Sequence, residues 1–230
     1  MDYTVVKQGF RDQTHGRVAD VTTLTEETPC IRFRSEHRYG MSSDSPPPPP
    51  DAGNLYQAAL NHIARFAATE VGLRRVLMRR VDRWTRLQTD PDTAAPVIAA
   101  AREAIDAVIT RLVQAGAISD AAFAENRAKN LVRGGQSNRA VQARLIAKGV
   151  APDLARTASI SDADTELAAA LVLVRKRRIG PYRATEDADA AIHLKEMGLL
   201  ARAGFARDIA EQALDTSRED AESRIFELRR

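Results

Sequence analysis

Cysteine is almost absent from the chain: Cys30 stands alone among 230 residues. One thiol can form neither an intramolecular disulfide nor a cysteine-based zinc site, and such scarcity matches a reducing compartment. Histidine is nearly as sparse. His15, His37, His62 and His193 are scattered, and no two have the helical spacing that a metal pair needs. His62 and His193 read as ordinary, partly exposed helix residues. The chain has no GxxxxGK[ST] phosphate loop, no GxGxxG after a strand and no GxSxG elbow. An enzyme is not expected, nor a metal or other cofactor. The longest apolar stretches, such as AAPVIAAA at 94–101, fall far short of the roughly 20 residues that span a bilayer. The first residues carry Asp2, Lys7 and Arg11 with no apolar run, which predicts no secretory leader and a cytoplasmic protein without a membrane partner. Aromatics make up only 5%. With alanine abundant, that disfavours sandwiches and barrels and favours helices.

Charged residues are present in quantity, at 28%, but a net charge of +3 conceals how they cluster. A sequence pI near 9.2 fits nucleic acid or an acidic protein surface as partner, although many plain proteins share it. Residues 1–53 lack sustained periodicity and end in SSDSPPPPPDAG. They read as a disordered tail, with Pro46–Pro50 forming a stiff spacer of roughly 15 Å. CIRFRSEHRYG, residues 30–40, could be a short strand and is given no role.

From Asn54 onward the helical signals are strong. Leu55, Ala59, Ile63 and Phe66 recur at spacings of four and three, as one apolar stripe. Leu73, Val76, Leu77 and Val81 form the next, with Arg75 and Arg79 facing away. Residues 82–96 contain Asp90-Pro91-Asp92 and Pro96, which mark a connection; Trp84 lies within it as a packing anchor. Ile105, Val108, Ile109 and Leu112 precede Gly116, suited to a helix C′ position. Ser119 or Asp120 caps a helix that stops at Gly134-Gly135, and Ser137 caps NRAVQARLIAK, which ends at Gly149. Pro152-Asp153 starts another helix. The last helix should extend past Leu228 and fray.

Three segments resemble one another: HIARFAATEVGLRRVLMRRV, LVRGGQSNRAVQARLIAKGV and LLARAGFARDIAEQAL. Each reads as a helix ending near an arginine (Arg65, Arg133, Arg202), a short turn and a second amphipathic helix. The fold expected is all-α, with three tandem three-helix repeats in an elongated, curved body. Its divisions are 54–114 (with an insertion at 82–96), 115–161, and 162–230 including a C-terminal helix.

Three basic clusters accompany the repeats. Arg74, Arg75, Arg79 and Arg80 lie in the second helix of the first. Arg133, Arg139, Arg144 and Lys148 lie in the second, with no acidic residue between Arg127 and Lys148. Arg175, Lys176, Arg177 and Arg178 form the third. Like charges at this density repel, and are tolerable when solvated or awaiting an acidic partner. Solvated faces are the plain reading of any one cluster; recurrence in repeated units favours a partner. A sequence-reading DNA module remains an alternative, with NRAVQARLIAK as recognition helix and Asn138, Arg139 and Gln142 reaching base edges. Three irregular copies without a dimerisation heptad speak against it.

The stretch LVQAGAISDAAFAENRAKNLVRGGQSNRAVQARLIAKGV, residues 112–150, resembles the RecX family of bacterial regulators of the RecA recombinase. Gly116, Asp120, Phe123, Ala124, Arg133, Gly135, Ser137, Leu145, Lys148, Gly149 and Val150 stand where that family shows its signature. ALNHIARFAATEVGLRRVLMRRV, RKRRIGPYR and LARAGFARDIAEQAL are similar to its other repeats, so the resemblance covers about residues 55–215. Ser119, where an acidic residue is common, and a longer 82–96 segment depart from it. The resemblance implies a non-enzymatic regulator in DNA repair and the SOS response, a monomer that binds RecA, free or as a filament on single-stranded DNA. It would inhibit ATP hydrolysis, strand exchange and coprotease activity. The three clusters would be the binding residues, with DNA contacts weak and salt-dependent.

Overall fold

The computed structural model describes residues 48–184 and 189–230. Of the tail expected over 1–53, residues 1–47, with Cys30, His15 and His37, lie outside the described residues. Among the described residues, ten α-helices and one short 3-10 turn account for the regular structure, and no strand occurs.

The first repeat consists of α1 (Ala52–Ile63), α2 (Glu70–Thr85) and α3 (Pro91–Gln114). Each has its own start signal. The side chains of Asp51, Thr69 and Asp90 accept from the N–H groups of Asn54, Gly72 and Asp92, satisfying donors that a helix N-terminus leaves open. Leu55 and Ala59 of α1, Leu73, Leu77 and Val81 of α2, and Ala101, Ile105, Val108, Ile109 and Leu112 of α3 close one core.

The segment expected to connect over 82–96 is mostly helix. Residues 82–85 complete α2 and 91–96 begin α3, leaving five residues between them. Proline at the first helical position loses no hydrogen bond, so Asp90-Pro91 starts a helix. Pro96 sits in the second turn, where one missing donor at an exposed site is tolerated. The proline run is also more than a spacer. Pro50 is buried, Asn54 donates its Nδ2 to the Pro49 carbonyl at 2.7 Å, and Pro48 and Pro50 border a cleft with half-buried Trp84 and with Leu87.

The second repeat is α4 (Asp120–Arg133), α5 (Asn138–Ala147) and α6 (Pro152–Ser159). Ser119, rather than Asp120, caps α4. Then come α7 (Ala163–Arg177), a 3-10 turn (Gly180–Tyr182), α8 (Ala190–Arg202), α9 (Arg207–Asp215) and α10 (Arg218–Arg229). Residues 162–230 thus hold four α-helices, the three of a repeat and one more. Helix α7 is the addition. Every residue from Glu166 to Val172 is buried, the signature of a helix enclosed on all sides, and α4, α9 and α10 pack on it. Helices α4–α10 share a single core, with Leu131, Val141, Leu145, Leu171, Leu200, Ile209 and Ile225 among its members. Near the end of α10 the Leu228 carbonyl accepts from Arg133 Nε at 3.3 Å.

The glycine stops behave as the spacing predicts. Gly135 and Gly204 hold φ of 85° and 93°, the left-handed region that favours glycine. After each, the next N–H reaches back to the last turn: Gln136 to the Leu131 carbonyl, Phe205 to that of Leu200. At Gly135 space adds a second reason, since a Cβ there would stand 3.0 Å from Val172 Cγ1.

Candidate partner-binding surface

The second helix of each of the first two repeats is anchored to the repeat after it by the same two contacts. The Thr69 hydroxyl that caps α2 also donates to the Lys148 carbonyl at 2.8 Å. The Ser137 hydroxyl that caps α5 donates to the Ala203 carbonyl at 2.7 Å. Both acceptors immediately precede a left-handed glycine, Gly149 or Gly204. In addition, the first N–H of each helix meets a carboxylate from further along the chain. Glu70 N–H donates to Asp120 at 2.9 Å, and Asn138 N–H donates to both oxygens of Glu166 at 3.1 Å. An anion there complements the positive end of the helix dipole. Thr69 and Ser137 are correspondingly buried, at 1% and 0% exposure.

The second joint carries a pH signature. Burial pushes the Glu166 carboxyl up from its ordinary value of 4.5, against the hydrogen bonds from Asn138 and Ser161 that lower it. A raised folded-state pKa means that the group's stabilising contribution is complete below the unfolded value and is lost as pH rises through the folded one. The charge is therefore a net cost at neutral pH. Glu166→Gln retains an acceptor for Asn138 and is expected to melt no lower than the parent at neutral pH. Its relative advantage should disappear on acidification; a lower melting temperature at neutral pH would refute this account.

These joints decide which basic residues meet. Arg75 donates from Nη1 to the Ala147 carbonyl at 3.3 Å, so the α2 and α5 sets adjoin at the end of α5. Arg79, one turn along α2, Arg144 of α5 and Lys148 just after it are exposed. Neither these three nor Arg75 has an ion-pair partner among the described residues. Leu73, Leu77 and Val81 hold the opposite side of α2 in the core, and that fixes the outward direction of Arg75 and Arg79.

The remaining members are dispersed. Arg74 forms an ion pair with Asp106 of α3. Arg80 borders the proline cleft. Arg139 lies where a Gly204 Cβ would meet its own at 3.4 Å. Arg133 is committed to the Leu228 carbonyl, and Lys176 Nζ donates to the Gly134 carbonyl at 2.6 Å. Arg175 pairs with Glu222 at 2.8 Å, while the Tyr182 hydroxyl donates to the same carboxylate, also at 2.8 Å. Burial, aided by Glu222, pushes the Tyr182 hydroxyl up to about 12. Arg175, Lys176 and Arg177 form the last turn of α7, where cations offset the negative helix end. Arg178 comes next in the left-handed region, at φ 56°. The third cluster is in large part a helix terminus.

The recognition-helix alternative keeps only part of its geometry. A helix reading the major groove offers its N-terminal residues to base edges. In α5 that end is partly covered: Ser137 is buried, Asn138 and Gln142 are half-buried and Asn138 Oδ1 accepts from Ser161 at 2.7 Å, while Arg139 is exposed.

Several cations escape a reading of the sequence alone. Arg65, Arg83 and Arg127 line surface grooves together with members of the first two clusters. Phe66, expected in the α1 core stripe, is 60% exposed, because α1 ends at Ile63 and carries the ring past the core.

A family model described as "RecX, second three-helix domain" matches residues 119–158, which span α4 to α6. A regulatory protein RecX from Myxococcus xanthus is 32% identical over 166 residues, covering 71% of this chain and 85% of that protein. The chain belongs to the RecX family. Another member, from Agrobacterium fabrum, is 37% identical over 106 residues, covering 46% of this chain and 56% of its own. The crystal structure of RecX from Lactobacillus salivarius superposes with a TM-score of 0.53 at 19% identity, over 75% of this chain and 97% of that one. At that identity the likeness shows the fold: the arrangement of helical repeats is that of RecX proteins. The relatives are named regulatory proteins, and no helix among the described residues is long and apolar enough to cross a membrane.

Proposed function

We propose that this RecX family member binds the RecA recombinase, both free and as filaments on single-stranded DNA, and inhibits its ATP hydrolysis, strand exchange and coprotease activity. It acts by occupancy rather than catalysis, as a monomer in the cytoplasm, during DNA repair and the SOS response. The observation that carries this reading is the adjoining set Arg75, Arg79, Arg144 and Lys148, without carboxylate partners of their own among the described residues. Unpaired cations held by rigid helices form a surface for acidic protein patches or for phosphates. Any phosphate share makes affinity fall as salt rises. The divisions 54–114, 115–161 and 162–230 are proposed as the units that take successive contacts along such a partner. A DNA module with its own sequence preference is the weaker reading, given the partly covered end of α5.

The test is ATP hydrolysis by RecA filaments on single-stranded DNA, titrated with the full chain and with residues 45–230. Both are expected to inhibit below one molecule per recombinase monomer. No inhibition, at concentrations where the protein coats DNA unaided, would transfer the assignment to a DNA-binding role.

A further inference from the structure

Two grooves meet at Phe66. The first, of about 440 Å³, lies between α1 and α2 and includes His62, Arg65, Phe66, Arg79, Arg80 and Arg83 in its walls. The second, of about 590 Å³, lies between the first repeat and α4 and includes Arg65, Phe66, Asn126, Arg127, Asn130 and Lys148. Arg65 and Phe66 line both. Among the described residues, no aspartate or glutamate lines either groove. This contrasts with the groove between α7, α9 and α10, whose walls carry Asp164, Asp208, Glu211, Asp215, Asp220 and Glu227.

A single exposed phenylalanine is ordinary on a protein surface, but this one is held in place. Its N–H donates to the His62 carbonyl at 2.9 Å. Its ring lies against the His62 imidazole, centroids 5.4 Å apart and planes tilted by 40°. The aromatic pair is therefore a platform set between two rows of cations. Asn126 and Asn130, one turn apart on α4, add amide groups to the second groove.

We propose that this double groove binds single-stranded nucleic acid, with a base stacked on Phe66 and the flanking phosphates carried by Arg79 and Arg83 on one side and Arg127 and Lys148 on the other. Stacking platforms between cations are how proteins hold single strands without reading sequence: every base offers a π-face, and an unpaired base alone can reach it. A duplex satisfies the cations but not the ring. The inference deepens the nucleic-acid part of the function proposed above, and rests on it only in placing a single strand where the protein works.

The experiment is fluorescence anisotropy of the full chain with a labelled thymidine oligomer of about 15 nucleotides, the scale of a single-strand module. A matched abasic oligomer and a duplex are run in parallel, with no recombinase present. Phe66→Ala is expected to weaken oligomer binding about tenfold, with the dependence on salt unchanged and abasic binding unaffected. Phe66→Trp should restore affinity. Arg79→Ala with Arg83→Ala should weaken all three ligands and flatten the salt dependence. Because Phe66 is exposed, its loss should leave helicity and melting temperature unchanged. Equal binding of the oligomer by Phe66→Ala and the parent would overturn the proposal, as would abasic and thymidine oligomers binding alike. Since this assay omits the recombinase, its failure leaves the regulatory reading standing.

Discussion

Replacing Gly149 by alanine should destabilise the fold by roughly 2–5 kcal/mol, the sum of a left-handed side chain and an overpacked contact. Gly149 holds φ of 95°, and a Cβ there would stand 2.6 Å from Val71 Cβ and 2.8 Å from its Cγ1. The Gly149 side cannot yield cheaply. The Lys148 carbonyl is held by Thr69, Gly149 N–H by the Ile146 carbonyl, and Val150 N–H by that of Leu145. In a chain of this size the loss corresponds to a melting temperature about 5–15 °C lower. Gly116→Ala supplies the control. Its φ is 68°, yet a Cβ there meets nothing within 4 Å, so only the backbone cost of about 1–2 kcal/mol should appear. Thermal melts of the two variants separate the effects. If their losses were equal, the close approach of Val71 to Gly149 would carry no weight.

Arg75→Glu combined with Arg79→Glu should raise the concentration needed for half-inhibition of recombinase ATP hydrolysis by about a hundredfold. Like charges brought face to face at an interface cost several kcal/mol, and each step of about 1.4 kcal/mol is a factor of ten. Both side chains lie on the outer side of α2 and neither is in an ion pair among the described residues, so helicity should stay intact. Arg74 would be a poor substitute, because reversal there sets two carboxylates against each other at Asp106. The same charge change at Arg229 and Arg230, exposed at the end of α10, tests whether total charge suffices. Equal loss in that control would show that the α2 face has no special part. Undiminished inhibition by the Arg75–Arg79 variant would remove that face from the mechanism.

Much of this arrangement is written locally, and it is legible in the sequence wherever the physics is local. The stops at Gly116, Gly135 and Gly149 and the caps at Ser119 and Ser137 depend on a few neighbouring residues, and all stand where expected. The start of α3 is easily misread because Pro96 looks like a breaker; its place in the second turn of a helix is apparent only once Asp90 is known to cap. Arg74 and Arg79 look alike in sequence. What divides them is Asp106, 32 residues from Arg74, a contact that only tertiary packing creates. Phe66 continues a perfect apolar spacing, and its exposure results from where α1 ends. The enclosure of α7 is hidden for another reason: its charges crowd at its two ends, and between them a fully buried helix lacks the periodicity that marks a one-sided one.

The pairing of a capping hydroxyl with a carbonyl has a mechanical corollary. Between Thr69 and Lys148 the chain is joined by hydrogen bonds and by the Val71–Gly149 approach, while the residues that exclude water sit in separate cores on either side. Bonds of this kind would act as a pivot. A small rotation would stretch them without uncovering either core, so bending there would meet far less resistance than bending within a repeat. Such a chain could track a groove of changing pitch, with each repeat staying rigid while the angle between the first and second adjusts.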